Sequence, residues 1–150
     1  MSLIDRVAAR VLLIDAQDRV LLLRGFDPAV PQVWYWFTPG GGLEPGESPA
    51  AGAARELYEE TGLRVSPDAL GEPVWHQVTT FQFNTLWYRQ EQEFFRLRVD
   101  SWTVDPGGLD AEEQYCINGH HWWSLEQLSQ AAEPVYPEGL ADLLRQLAVD

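Results

Sequence analysis

No lysine occurs anywhere in this chain of 150 residues; all ten of its basic residues are arginine. That absence excludes Schiff-base chemistry and the lysine of a Walker-type phosphate loop. Phosphate recognition has to come from arginine forks, backbone amides and metal. Cysteine is nearly missing too: the lone Cys116 cannot form an internal disulfide, so a reducing, cytoplasmic setting is expected. Cys116 itself reads as a small packing residue rather than a nucleophile. No apolar run approaches the roughly 20 residues that cross a bilayer. Residues 1–15 carry Asp5, Arg6 and Arg10 among their apolar positions and read as a strand, not a signal peptide. Positive charge is scarce, with 10 basic residues against 23 acidic ones and a net charge of −13. A chain so acidic is poorly built to neutralise a nucleic-acid backbone, so neither polymeric nucleic acid nor a membrane is an expected partner. A small phosphorylated ligand bridged by metal stays compatible. What is present is a globular composition, 45% hydrophobic and 22% charged, sized for one domain over residues 1–150.

Residues 6–14 are rich in β-formers and read as a strand. Ala16-Gln17-Asp18 supplies a turn, and residues 20–23 the return strand of a hairpin. Asp27-Pro28 and Pro31 mark residues 25–33 as a loop. Residues 34–37 form a short strand leading into a glycine-rich turn at 39–42. Farther on lie two long β-rich runs, 74–87 and 91–104, with a turn near Arg89-Gln90. Residues 105–119 read as a loop and His121-Trp122-Trp123 as a short strand. Ser124 with Gln127 makes a capping box for a helix over 125–132, and a final amphipathic helix covers 138–147. The aromatics of the second half, Trp75, Phe81, Phe83, Phe94 and Phe95 among them, are mostly core, with one or two free to stack a base. Mixed strands flanked by helices define an α/β sandwich.

The stretch 39–63 organises the rest. Ser48 suits an N-cap, Pro49 the first helical position, and Gly62 the left-handed residue that closes a helix of about thirteen residues. On a 3.6-residue period Ala50, Ala53, Ala54 and Leu57 share one side, with Tyr58 at its edge. Glu56, Glu59 and Glu60 share another. A solvated acidic face would be the ordinary explanation, but two costs oppose it. Like charges at i and i+4, Glu56 and Glu60, repel, and all three crowd the negative end of the helix dipole. A hard divalent cation, which takes oxygen ligands, makes sense of carboxylates placed there.

Gly41, Glu47, Arg55-Glu56-Leu57, Glu59-Glu60 and Gly62-Leu63, at these spacings, resemble the Nudix box at every specified position. At average amino-acid frequencies the match would arise roughly once in 10⁹ starting points. The resemblance implies a Nudix-like α/β/α sandwich with a mixed β-sheet. It also implies hydrolysis of the pyrophosphate linkage of a nucleoside diphosphate derivative, with Mg²⁺ or Mn²⁺ as cofactor. Carried over residue by residue, it makes Glu56, Glu59 and Glu60, with the Gly41 carbonyl, metal ligands. Glu56 or Glu59 would position or deprotonate the water, while Arg55 and Glu47 would pair to orient the helix. A carboxylate from a later segment is also expected, with Glu113 first in order and Glu112 and Glu93 after it. Arg96 and Arg98 share one strand face, placed either to hold substrate phosphate or to cover an exposed face. Nucleoside triphosphates, oxidised ones included, are the favoured substrates. ADP-ribose, a sugar nucleotide, or a catalytically quiet nucleotide-sensing role are the alternatives. Homodimers are frequent in the family, so the resemblance implies one here as well.

Overall fold

The computed structural model describes residues 2–149; Met1 and Asp150, the outer ends of the span read as one domain, lie outside them. The fold is built on β1 (Leu3–Ile14), whose two edges are used differently. One edge pairs in parallel along its whole length with β6 (Leu86–Arg98), from Leu3↔Trp87 to Ile14↔Arg98. The other edge is divided. Ile14 faces Val20 at the start of β2 (Val20–Asp27), whereas Ala8, Ala9 and Arg10 take up β4 (Gly40–Gly42) antiparallel. β2 therefore leaves β1 directly after the hairpin and pairs onward with β3 (Val30–Phe37) and β7 (Ile117–Trp123). β5 (Trp75–Phe83) extends the sheet beyond β6, and β8 (Val135–Tyr136) pairs in parallel with β3. The sheet is mixed and curled, and it is open where β2 diverges from β1 and β4.

Helices cover both faces. α1 (Pro49–Thr61) places Ala53, Ala54 and Leu57 against Ala9, Val11, Leu13 and Phe95. α4 (Leu140–Val149) places Leu140 and Leu143 against Leu12, Val20, Leu22 and Phe94. Successive strand residues point to opposite faces, so Val11 and Leu12 enter different cores and the run from Val11 to Leu13 is apolar without a break. The α/β/α sandwich follows. α1 starts where Ser48 Oγ accepts the Ala51 N–H and Pro49 opens the first turn; it stops at Gly62, whose φ is 78°.

Several boundaries differ from the sequence reading, each for a local reason. Residues 25–33 are not one loop, because the turn is confined to Pro28-Ala29, where Asp27 Oδ1 accepts the Ala29 N–H at 2.9 Å. Pro31 is tolerated in β3 because the pairing jumps there, from Phe26↔Trp34 to Asp27↔Val30, so its missing N–H falls in an irregularity. The glycines at 40–42 form a strand rather than a turn. β5 and β6 are joined at Asn84-Thr85, not at Arg89-Gln90: Asn84 (φ 49°) and Thr85 (φ 72°) are both left-handed, as a two-residue hairpin turn demands. Gln90 is instead a buried mid-strand residue. The presumed loop at 105–119 contains α2 (Ala111–Cys116), started by Asp110 and Glu113 capping one another, and β7 already begins at Ile117. α3 (Leu125–Ser129) has the expected Ser124–Gln127 box but ends before residue 132. α4 begins at Leu140 rather than 138, behind Gly139 with φ 81°.

Thr85 is β-branched and holds a left-handed backbone at the hairpin tip, which costs about 1 kcal/mol relative to glycine. Thr85→Gly is expected to raise the melting temperature, read by circular dichroism, without changing the fold. An unchanged or lower melting temperature would contradict the turn geometry.

Candidate active site

The divergence of β2 from β1 opens a cleft of about 710 Å³. Its floor is the β1–β6–β5 surface, with Arg6, Arg10, Gln90, Gln92 and Gln77; α1 carboxylates and α2 enclose one side. Aromatic residues from β2, β3 and β8, including Phe26, Tyr35 and Tyr136, enclose the other. Burial among these groups pushes the Tyr35 hydroxyl up to about 12, with Asp27 adding to the effect, so it is a neutral donor at physiological pH.

The carboxylates reach the cleft because β4 has no side chains. A Cβ on Gly41 would lie 2.7 Å from Glu56 Oε1. Gly40 has a φ of 140° and presses on the Ala9 carbonyl of β1, so a side chain there is excluded as well. Strand and helix thus close on each other, and Glu56 and Glu60 are only 9% and 3% exposed. A solvated acidic face is therefore ruled out for both.

Arg55 holds this group together. Its Nε and Nη2 donate to Glu47 Oε2 and Oε1 at 2.8 and 2.9 Å, a two-pronged pair. Nη2 also donates to the Gly42 carbonyl at 3.2 Å, and Nη1 reaches Glu56 at 3.2 Å and Glu59 at 3.4 Å. Glu47 Oε1 in turn accepts the Glu44 N–H at 2.9 Å, fixing the start of the clamp. The guanidinium hydrogen bonds hold Glu47 below the usual carboxylate range and raise Arg55 further. The i,i+4 pair with Glu59 is thus the longest of the Arg55 hydrogen bonds, and only the exposed Glu44, at 3.7 Å, lies farther among its ion-pair partners.

Glu113, arriving on α2 from a distant part of the chain, completes a trio: Glu56, Glu59 and Glu113 each offer an oxygen, all within 4.8 Å of one another. Glu60 stands behind it, with Oε1 accepting the Gly40 N–H at 2.7 Å. Burial is the first cause that raises Glu56, Glu60 and Glu113 above the ordinary carboxylate value; Glu59 adds to the effect at Glu56, and Glu56 adds to it at Glu60. The donor set is carboxylate oxygen throughout, with no imidazole or thiolate among the three, which suits a hard divalent cation and not a soft one.

The other residues singled out in the sequence fall as follows. Gly41 lies in β4 against Glu56. Glu112 lines the cleft beside Glu113. Glu93 lies on β6 between Ala9 and His76 and does not line it. Arg96 and Arg98 do not face the cleft either, which corrects their placement on substrate phosphate. Arg96 donates to the Leu147 carbonyl of α4 at 3.1 Å, and Arg98 pairs with Asp18 at 2.9 Å. α4 covers that end of the β6 face. The cations that do line the cleft, Arg6 and Arg10, lie at β1 positions of like parity; the strand period alone could have signalled them. Gln90 escaped notice because the stretch around it read as a turn.

A glycine strand is thus pressed on a capped helix, with buried carboxylates facing an open sheet. The NUDIX domain profile matches residues 5–147, and the chain belongs to that family. Among curated relatives, an RNA pyrophosphohydrolase of Azorhizobium caulinodans is 37% identical over 114 residues, 68% of this chain and 64% of the relative, so the match spans less than two thirds of that protein. An RNA pyrophosphohydrolase of Cereibacter sphaeroides is 30% identical over 162 residues, 99% of this chain and 96% of the relative. Among solved structures, a MutT protein from Methanosarcina mazei superposes with a TM-score of 0.64 at 20% identity, covering 99% of this chain and 96% of that one.

A carboxylate raised by burial contributes stability that is complete below its unfolded value and lost as pH rises through its folded value. Glu56, Glu60 and Glu113 are raised, so metal-free protein is expected to melt higher just above pH 4.5, the ordinary carboxylate value, than at neutral pH. Glu47, Asp15 and Glu133 are lowered and act oppositely only below that window. Glu60→Gln can keep the Gly40 hydrogen bond without the buried charge. It should flatten the pH dependence and, without metal, melt at or above wild type. A melting temperature that falls throughout acidification from neutral pH, in wild type and variant alike, would contradict this electrostatic reading.

Proposed function

We propose that this Nudix domain is a divalent-metal-dependent pyrophosphohydrolase that cleaves the pyrophosphate linkage of a nucleoside diphosphate derivative, with nucleoside triphosphates as the favoured substrates. The observation that carries this reading is the Glu56–Glu59–Glu113 trio at the side of a cleft of about 710 Å³, large enough for a nucleotide. Glu56, Glu59 and Glu113 would hold Mg²⁺ or Mn²⁺, with Glu60 and the Gly41 carbonyl as further candidates beside them. When bound, such ions screen phosphate charge and lower the pKa of coordinated water. The protein's own groups do the rest. Arg55, clamped by Glu47, sets the orientation of Glu56 and Glu59. Glu56 or Glu59 positions the attacking water and takes its proton. Glu60 fixes the Gly40 backbone, and Arg6 and Arg10 supply the positive charge available to substrate phosphate within the cleft. ADP-ribose or a sugar nucleotide would use the same carboxylates, and a nucleotide sensor would use the cleft without turnover.

A second reading is hydrolysis at an RNA terminus, favoured by the curated relatives named RNA pyrophosphohydrolases. Against a long RNA footprint stand the net charge of −13 and a cleft with two cations among several carboxylates. Placement in the cytoplasm rests on the composition with its single cysteine. No helix among the described residues is long and apolar enough to cross a membrane.

Chromatographic product analysis, scoring nucleoside monophosphate with pyrophosphate or sugar phosphate, on a panel of nucleoside triphosphates, ADP-ribose, a sugar nucleotide and a 5′-triphosphorylated oligoribonucleotide separates these readings. Turnover should stop in chelator and return with Mg²⁺ or Mn²⁺, and full turnover after rigorous metal removal would overturn the proposal. Glu56→Gln keeps the shape but removes a negative oxygen donor. It should lower kcat by at least about 10²-fold, the scale of losing a strong electrostatic contributor; near-wild-type kcat would reassign Glu56.

A further inference from the structure

The cleft floor carries a string of three carboxamides whose direction is fixed. Gln77 and Gln92 are cross-strand partners on β5 and β6, and Gln90 lies two residues before Gln92 on the same face. Gln90 Nε2 donates to Gln92 Oε1 at 2.9 Å, and Gln92 Nε2 donates to Gln77 Oε1 at 2.8 Å. Carboxamide orientation is ordinarily ambiguous, because oxygen and nitrogen can exchange places. Here Arg10 removes the ambiguity. Its guanidinium has only donors, and its Nε donates to the same Gln92 Oε1 at 3.3 Å. Turning Gln92 over would set N–H against N–H, and turning Gln90 or Gln77 would break the string at the next link. The cation therefore sets the sense of all three amides, and each donor polarises the next. One cost is visible: Gln90 Oε1 is buried with no hydrogen-bond partner among the described residues. The other end of the string is Gln77 Nε2. It donates to no side chain or carbonyl among the described residues, and Gln77 is half-buried in the cleft wall.

The string lies across the sheet from the carboxylates. Gly41 pairs with Ala9 on β1, β1 with β6, and β6 with β5, so three strand spacings, roughly 14 Å along the sheet, separate the two ends of the cleft. Phosphates seated by Arg10 and by a cation held among the carboxylates would place a ribose over the floor and the base toward Gln77, between aromatic walls that include Phe81 and Tyr35.

We propose that Gln77, held in one orientation through Gln92 by Arg10, is a specificity-determining hydrogen-bond donor that selects a nucleobase presenting a keto oxygen at purine C6 or pyrimidine C4 over one presenting an exocyclic amine at that position. This rests on the nucleotide-hydrolase reading above and deepens it. A keto oxygen accepts the outward N–H of Gln77, whereas an exocyclic amine meets donor with donor and leaves both unpaired, a penalty of about tenfold or more in affinity. Guanine, hypoxanthine and uracil are on the favoured side; adenine and cytosine are not.

Inosine and adenosine nucleotides differ at this edge and are the probes. Equilibrium binding of the monophosphates IMP and AMP, read by tryptophan fluorescence or calorimetry, tests selection without turnover; kcat/KM for ITP and ATP tests it with turnover. Wild type should favour the inosine form by about tenfold in both. Gln77→Glu is close to isosteric. It keeps an oxygen for Gln92 Nε2 but turns an acceptor toward the cleft, so the order should invert. Gln77→Met should erase the preference without inverting it. Wild type favouring adenosine, or the same ratio in wild type and both variants, would overturn the proposal. Selective binding without hydrolysis of any nucleotide would leave it standing and overturn the hydrolase reading instead.

Discussion

The guanidinium of Arg55 makes five hydrogen bonds, two of them to Glu47, one to the Gly42 carbonyl and one each to Glu56 and Glu59. Without it, three carboxylates of α1 would face one another at the negative end of a helix with no basic residue in its last turn. Arg55 offsets that repulsion in part, and Glu47 shares the charge so that Arg55 does not simply collapse onto Glu56. Because Glu47 sits just before α1 and Gly42 ends β4, one side chain ties the helix, its lead-in and the glycine strand together. A lysine could not do this: a point charge with three donors has no fork to match a carboxylate while reaching two others.

The second constraint is backbone space. α1 can bring Glu56 and Glu60 into the sheet's opening only where the facing strand is bare, and Gly40-Gly41-Gly42 provides that at the stretch of β1 which β2 has vacated. The divided edge of β1 is thus the topological origin of the site. It makes the gap, and β4 lines the gap with amides instead of side chains. Glu60, hydrogen-bonded to the Gly40 N–H, is the inner face of the same contact.

What was legible in the sequence was what local chemistry decides. Ser48, Pro49 and Gly62 bound α1, and Arg55 and Glu47 meet as their spacing suggests, because caps and near-neighbour charges act within a few residues. Proline and polar residues misled where tertiary pairing overrode them. Pro31 fits an irregular register, and Arg89-Gln90 sits in a strand whose actual turn is Asn84-Thr85, with no glycine to announce it. α2 had a signal that went unread: Asp110 with Glu113 is an N-cap pair. Arg96 and Arg98 share the strand face of Gln90 and Gln92, and no periodicity could show that α4 would cover one end of that face and leave the other open. The amide string was invisible for the same reason, since Gln77 and Gln92 meet only through the β5–β6 register.

The claim on which everything else depends is that buried carboxylates are held close together, at raised pKa, for a divalent cation. Calorimetric titration of Mn²⁺ into metal-free protein tests it most directly, run near pH 6 in two buffers of different ionisation enthalpy so that proton movement is counted with binding. A cation entering among Glu56, Glu59 and Glu113 must displace whatever protons the raised values of Glu56 and Glu113 retain. Binding accompanied by proton release, fading as the pH is taken higher, is the expected result. Absence of binding, or binding with no proton release at any pH in that range, would contradict it.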